Sequence, residues 1–165
     1  MANTRTDRPL STRTERETSG TGVRELMTRN PQTVTEQDSL QKAAKLMVEC
    51  DCGSLPVVGG DGRLRGMITD RDIVVRVVAQ GRNPLDATVR HAMTSEVFSV
   101  RESDSVENVF RLMGEKQVRR VPVVGDDGAI VGIIAQADLA LEARADEKVG
   151  ETVERISEPE RRPGH

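Results

Sequence analysis

The chain has 165 residues, enough for one ordinary domain or two small ones, with 36% hydrophobic and 31% charged residues and a formal net charge of −3. Two phenylalanines and no tryptophan or tyrosine leave almost no rings on which a nucleic-acid base could stack, and the charges are mixed in sign along the chain, so nucleic acid is not an expected partner. No apolar run approaches the roughly 20 residues of a membrane span, and the polar, acid-bearing N-terminus is unlike a signal peptide, so a cytoplasmic protein with no membrane contact is expected.

Met1 to Gly22 carries Thr, Arg, Glu, Ser and Gly without an apolar period and reads as a disordered leader. From Val23 the chain repeats itself. Placing residue n beside residue n+66 aligns Val23-Arg24 with Val89-Arg90, Met27-Thr28 with Met93-Thr94, Asp38-Ser39 with Asp104-Ser105 and Leu46-Met47 with Leu112-Met113. The same register puts Pro56-Val57-Val58-Gly59 on Pro122-Val123-Val124-Gly125, Asp61-Gly62 on Asp127-Gly128, Gly66 on Gly132 and Asp72 on Asp138. About 20 of roughly 56 positions are identical without a gap, which is a duplication. Two like units, 23–82 and 83–144, should pack together, followed by a short helix and frayed tail over 145–165.

Each unit reads as β-α-β-β-α. Thr33-Val34-Thr35 and Ser99-Val100-Arg101 are short extended segments, each followed by a carboxylate expected to cap a helix, Asp38 with Gln41 and Asp104 with Glu107. Leu40, Ala43, Ala44 and Met47, and then Val106, Val109, Phe110 and Met113, recur at helical spacing as core stripes. Leu55-Pro56-Val57-Val58 and Val121-Pro122-Val123-Val124 are strands whose proline belongs at the start or on an edge. Gly-rich turns at 59–62 and 125–128 predict hairpins into return strands Leu64 to Thr69 and Ile130 to Ala135. Helices from Asp70 to Gln80 and from Gln136 to Arg144 should close the units. Val149, Val153 and Ile156 would make a last amphipathic helix.

Cys50 and Cys52 are too close for an easy disulfide and too few for a zinc site, with His91 and His165 the only histidines; Cys52 is expected as a small core hydrophobe. The stretch Gly66-Met-Ile-Thr-Asp-Arg-Asp72 carries two readings. Thr69 with Asp72 three residues on is a capping box. The same helix start presents unpaired N–H groups and a positive dipole end, so the hydroxyl could meet a phosphate and the carboxylate ribose hydroxyls. The second copy keeps Asp138 but has Ala135 in place of the threonine.

The duplicated unit, with its apolar-Pro-Val-Val strand, Gly-rich hairpin and closing Gly-x-Ile-Thr-x-x-Asp, resembles the CBS domain over about residues 23 to 144. A pair of these makes a Bateman module, and the chain resembles a small stand-alone bacterial protein of that kind. The resemblance implies an α/β (α+β) fold of two pseudo-twofold-related β-α-β-β-α CBS units packed through their sheets. It also implies a regulatory role without catalysis, commonly a homodimer, with an adenosyl ligand such as AMP, ADP, ATP or S-adenosylmethionine between the units. No cofactor is required. On the family's pattern Thr69 meets phosphate and Asp72 ribose, while Thr33, Val34, Ser54, Leu55 and Pro56 surround base or sugar. In the second unit Arg119, Arg120, Pro122 and Asp138 match, with the arginines placed either toward phosphate or toward solvent and Glu115. One competent site at most is expected.

Three functions are weighed. A nucleotide sensor is favoured by the intact Thr69 to Asp72 motif inside the duplication, and a ligand-free interaction module docking on an unknown partner by the degraded second motif. An enzyme is disfavoured, because no nucleophile with its base and no metal site can be found.

Overall fold

The computed structural model describes residues 22–142. Of the leader expected over 1–22 only Gly22, which forms a bridge with Ser105, is among the described residues, and the terminal helix expected around Val149, Val153 and Ile156 lies outside them. Gly22 precedes a short helix, α1 (Val23–Leu26), which leads into the two-residue strand β1 (Thr28–Arg29). Then come α2 (Leu40–Glu49), β2 (Ser54–Val58), β3 (Leu64–Thr69) and α3 (Asp70–Ile73), which runs directly into a π-helical turn, Val74–Val78. A 3-10 turn at Val89–His91 opens the second repeat, followed by β4 (Val100–Arg101), α4 (Val106–Lys116), β5 (Arg120–Val124), β6 (Ile130–Ala135) and α5 (Gln136–Glu142).

Three local expectations are corrected. Ser39 and Ser105, and not the aspartates before them, cap α2 and α4, accepting from the amides of Lys42 at 3.1 Å and Asn108 at 3.3 Å. The serines have the extended backbone a cap needs. Asp38 and Asp104 accept instead from the amides of Thr35 at 2.7 Å and Arg101 at 2.8 Å, closing the loop in front of each helix. The helix expected from Asp70 to Gln80 is α-helical only to Ile73, after which the amide of Ala79 donates five residues back to Val74 at 2.8 Å. Four valines in five positions, stiff at χ1, sit poorly in a regular helix.

The third correction is at the end of α2. Asp51 takes the left-handed conformation, φ 48°, and the amide of Cys52 returns to the carbonyl of Met47 at 2.9 Å. That turn brings the Cα atoms of Cys50 and Cys52 to 5.3 Å, within disulfide range, and the two sulfurs are bonded. Cys52 also packs against the first core, as expected of a small hydrophobe.

The strands are arranged twice over. In a four-stranded sheet of order β1-β6-β5-β4, β5 pairs antiparallel with β6 and parallel with β4, and β1 adds antiparallel to the far edge of β6. The β2–β3 hairpin is flanked in the same way by single bridges, Val34 to Val57 in parallel and Thr94 to Met67 antiparallel. Thr28 pairs with Ile133 as Thr94 pairs with Met67, and both members shift by 66. At the centre Arg63 bridges Ala129, and the amides of Leu64 and Ile130 donate to the carbonyls of Gly128 and Gly62, each at 3.3 Å. Exchanging n with n+66 maps one set of pairings onto the other, which is a pseudo-twofold axis running between the hairpin turns.

The two cores follow the crossing. Leu40, Met47, Leu55 and Ile68 of the first repeat are packed with Ala87, Val89, Ala92 and Met93, which come after it in the chain. Val23 and Met27 from the start of the chain are packed with Val109, Met113, Val121 and Ile134 of the second. Each repeat therefore lends its leading segment to the other. The motif glycines make this passage possible: a Cβ at Gly66 would lie 2.6 Å from the carbonyl oxygen of Thr94, and one at Gly132 would lie 2.9 Å from Cγ of Met27.

Candidate functional site

Side chains alternate along a strand, so Leu55 and Val57 of β2 face one way and Ser54 and Pro56 the other. Leu55 and Val57 enter the first core. Ser54 and Pro56 are also buried, on the opposite face, where Ser54 stands in register with Thr69 and Pro56 with Met67. The hydroxyl of Ser54, a residue only 5% exposed, makes no hydrogen bond within the described protein. An unpaired buried hydroxyl costs about 1–3 kcal/mol, so Ser54 Oγ is a group that would gain from a further hydrogen-bond partner.

Beside it stands the capping box. Thr69, with extended backbone, starts α3; its Oγ1 accepts from the amide of Asp72 at 3.0 Å, and its own amide donates to Asp72 Oδ2 at 3.0 Å. Its hydroxyl hydrogen also goes to Asp72 Oδ2, at 2.6 Å. The second oxygen, Oδ1, is 3.6 Å from a terminal nitrogen of Arg76. Thr69 and Asp72 thus satisfy each other until something competes for either group.

Charge arrives from the other repeat. Arg120, at the start of β5, carries a guanidinium whose Nη1 would lie 3.7 Å from a Cβ at Gly53, and an Asp70 carboxylate oxygen would lie 3.1 Å from the same point. Gly53 thus leaves room for two side chains from different repeats. No ion pair of Arg119 or Arg120 is found among the described residues, and Glu115 is paired with Arg111 at 3.4 Å. Both arginines are exposed to solvent, and neither is paired with Glu115.

The other expected site residues divide. Thr33 is half-buried beside Val34, whose side chain lies in the first core and whose amide donates to the carbonyl of Pro56 at 3.1 Å. Val34 and Leu55, each 1% exposed, have only their backbone to offer a ligand. In the second repeat Pro122 is buried opposite Ile133, Arg120 stands opposite Ala135, and Asp138 accepts from the amide of Ala135 at 2.7 Å. That half of the box survives, while no hydroxyl accompanies it. His91 is engaged locally, its Nδ1 accepting from the amide of Thr88 at 3.1 Å. Among the described residues no group of His, Cys, Asp and Glu is arranged to hold a metal, and no helix is long and apolar enough to cross a membrane.

Sequence reasoning missed the contribution of Arg76 and the meeting of Arg120 with Gly53. The identical Met27-Thr28 and Met93-Thr94 pairs, outside any expected element, were the signal that each repeat reaches into the other.

Comparison with known proteins agrees with this architecture. The family model of the CBS domain matches residues 23–79 and again 89–145. The chain belongs to the CBS-domain family, and its fold is the α+β Bateman fold of paired CBS units. Hypoxic response protein 1 of Mycobacterium tuberculosis is 40% identical over 120 residues, 73% of this chain and 83% of that one. Among solved structures, CBSX2 in complex with AMP superposes with a TM-score of 0.66 at 28% identity, covering 76% of this chain and 98% of the other. The CBS domain pair of protein MJ0100, in complex with 5′-methylthioadenosine and S-adenosyl-L-methionine, superposes at 0.69 with 29% identity, covering 77% and 98%.

Proposed function

We propose that this protein is a regulatory, non-catalytic module that binds an adenosyl compound of the AMP, ADP, ATP or S-adenosylmethionine class between its two CBS units. The observation that carries the reading is the buried, unpaired Ser54 hydroxyl standing opposite Thr69 in the ladder. The bound CBSX2 and MJ0100 structures support the ligand class.

The roles follow from the hydrogen-bond capacities. A ribose diol donates to Asp72 and displaces the Thr69 hydroxyl from Oδ2. Thr69 Oγ1 is then free to donate to a phosphate oxygen at the helix start, where the amides and the dipole already favour an anion. Arg120 brings a fixed positive charge toward the same anion from the second repeat. Ser54 pairs with the sugar or base. The pseudo-symmetric position has Ala135 without a hydroxyl and the bulk of Arg120 where Ser54 would be, so a single site is occupied.

Occupation draws groups from both repeats together, which alters their packing or the surface offered to a regulated protein. The side chains of Val48, Val74, Val75 and Val78 are exposed on the helical side, and an apolar groove of about 600 Å³ between Met47, Val48, Gly53, Asp70 and Val74 lies there. A homodimer covering this face is part of the proposal, and light scattering reads it directly.

The test is a thermal-shift panel of AMP, ADP, ATP, S-adenosylmethionine, NAD and GTP on wild type, Thr69→Ala and Asp72→Ala. A ligand at 100 times its dissociation constant stabilises by about 2.7 kcal/mol, a shift of several degrees. A shift with one adenosyl compound that both variants lose bears the reading out. The competing reading, an interaction module that needs no ligand, draws on the mutual satisfaction of Thr69 and Asp72, and a panel without any shift favours it.

A further inference from the structure

The two oxygens of Asp72 have separate partners. Oδ2 takes the amide and hydroxyl of Thr69, while Oδ1 faces Arg76 Nη2 at 3.6 Å. The other terminal nitrogen of that guanidinium, Nη1, donates at 2.7 Å to the carbonyls of both Ala92 and Met93. These carbonyls follow the 3-10 turn Val89–His91, where unpaired oxygens favour a cation. The next residue, Thr94, exchanges hydrogen bonds of 2.8 and 2.9 Å with Met67, two positions before Thr69 on β3. One side chain therefore joins the motif carboxylate to the segment by which the chain passes from one repeat to the other. A planar fork serves these acceptors together; an ammonium, with a single nitrogen, cannot hold the same spread. Glu142 stands at the position 66 residues on, so no arginine occupies the equivalent position of the second repeat.

We propose that Arg76 is a positioning residue that holds Asp72 in the orientation needed to count ribose hydroxyls and transmits their arrival to the crossing at Met93-Thr94. The inference rests on the reading of Asp72 as the ribose acceptor. With Oδ1 held, the carboxylate can present Oδ2 to a diol as the Thr69 hydroxyl leaves. Without the guanidinium, once the hydroxyl leaves, only the Thr69 amide at 3.0 Å restrains the carboxylate, Oδ1 is free to shift, and a ligand lacking one hydroxyl is less disadvantaged.

The test uses the full chain as wild type, Arg76→Met, Arg76→Lys and Asp72→Asn, titrated calorimetrically with AMP, ATP and their 2′-deoxy forms. Amide hydrogen exchange at Met67 and Thr94 is followed with and without ligand. In wild type, loss of the 2′-hydroxyl should cost about tenfold in affinity, as for a hydrogen bond to a charged group. Arg76→Met should reduce that preference to below about threefold and abolish the ligand's slowing of exchange at Thr94, with Arg76→Lys in between. Equal weakening for ribo and deoxy ligands, with preference and exchange effect retained, would assign Arg76 a merely structural part and overturn the inference. A wild type that binds none of these ligands or shows no ribose preference, or an Asp72→Asn that keeps both affinity and preference, overturns the underlying reading instead.

Discussion

Ser54 and Thr69 stand directly opposite each other in the β2–β3 ladder, and of the two hydroxyls only that of Thr69 has a hydrogen-bond partner among the described residues. Replacing Ser54 by Ala should therefore raise the stability of the ligand-free protein by about 1 kcal/mol, since a desolvated, unpaired hydroxyl is removed without opening a large cavity. The same variant should bind the adenosyl ligand more weakly. Urea midpoints with and without ligand measure both effects, and a lower midpoint in the ligand-free variant would refute the first.

The motif glycines should differ in their tolerance of a methyl group. At Gly66 the new Cβ meets the Thr94 carbonyl oxygen, which is held at 2.9 Å by the amide of Met67 and cannot retreat. At Gly132 it meets Sδ and Cγ of the unbranched Met27 side chain, which can shift within the core more readily than a backbone carbonyl, with the Met27 Cβ at 3.1 Å. Gly66→Ala is expected to cost about 2–4 kcal/mol and Gly132→Ala about half of that, in denaturant unfolding.

Asp38 sets a pH dependence. Burial pushes its carboxyl up, but the Lys42 ammonium at 2.7 Å and the Thr35 amide outweigh that effect and hold it below the usual value of 3.8. A folded pKa below the unfolded one means stability that is present above the unfolded pKa and lost as the pH falls through the folded one. Asp38→Asn should be less stable than wild type at pH 7 by about 1 kcal/mol, and the gap should close on acidification below about pH 4. A gap that stays constant from pH 7 to pH 3 would contradict this.

The disulfide should be dispensable for folding. Lys116-Gln117-Val118 makes the same turn as Cys50-Asp51-Cys52, with Gln117 at φ 52° and Val118 returning to Met113 at 3.2 Å, and no bond across it. The loop closed by Cys50 and Cys52 is so short that it removes little entropy from the unfolded chain, about 1–2 kcal/mol. A Cys50→Ser, Cys52→Ser variant should keep its circular dichroism spectrum and lose no more than that in denaturant. Unfolding of the native protein by a reductant alone would overturn the expectation.

Much of this architecture was legible because it is written twice. The 66-residue offset, the Pro-Val-Val strands, the glycine turns and the helical stripes lead directly to two hairpins with a helix before and after each. Elements too short to carry a period were hidden: β1 has two residues, and its partner lies a hundred positions away on β6. The caps were displaced by one residue because aspartate and serine both accept hydrogen bonds, and only backbone conformation separates a cap from a loop closure. At the candidate site, the contact of Thr69 with Asp72 follows from their spacing alone. The ends of Arg76 and Arg120 do not, because where a long side chain settles depends on acceptors and space supplied by the other repeat.

The exchange of leading segments gives each half of the molecule an unmet need. A polypeptide cut between residues 82 and 83 would leave the first half with a donor strand at Thr28 and an empty receiving edge at Met67, both of which the intact chain satisfies with its second half. Two copies of that half can satisfy one another, Thr28 of each lying along Met67 of the other. The approximate symmetry of the single chain would then become a true dyad between separate molecules.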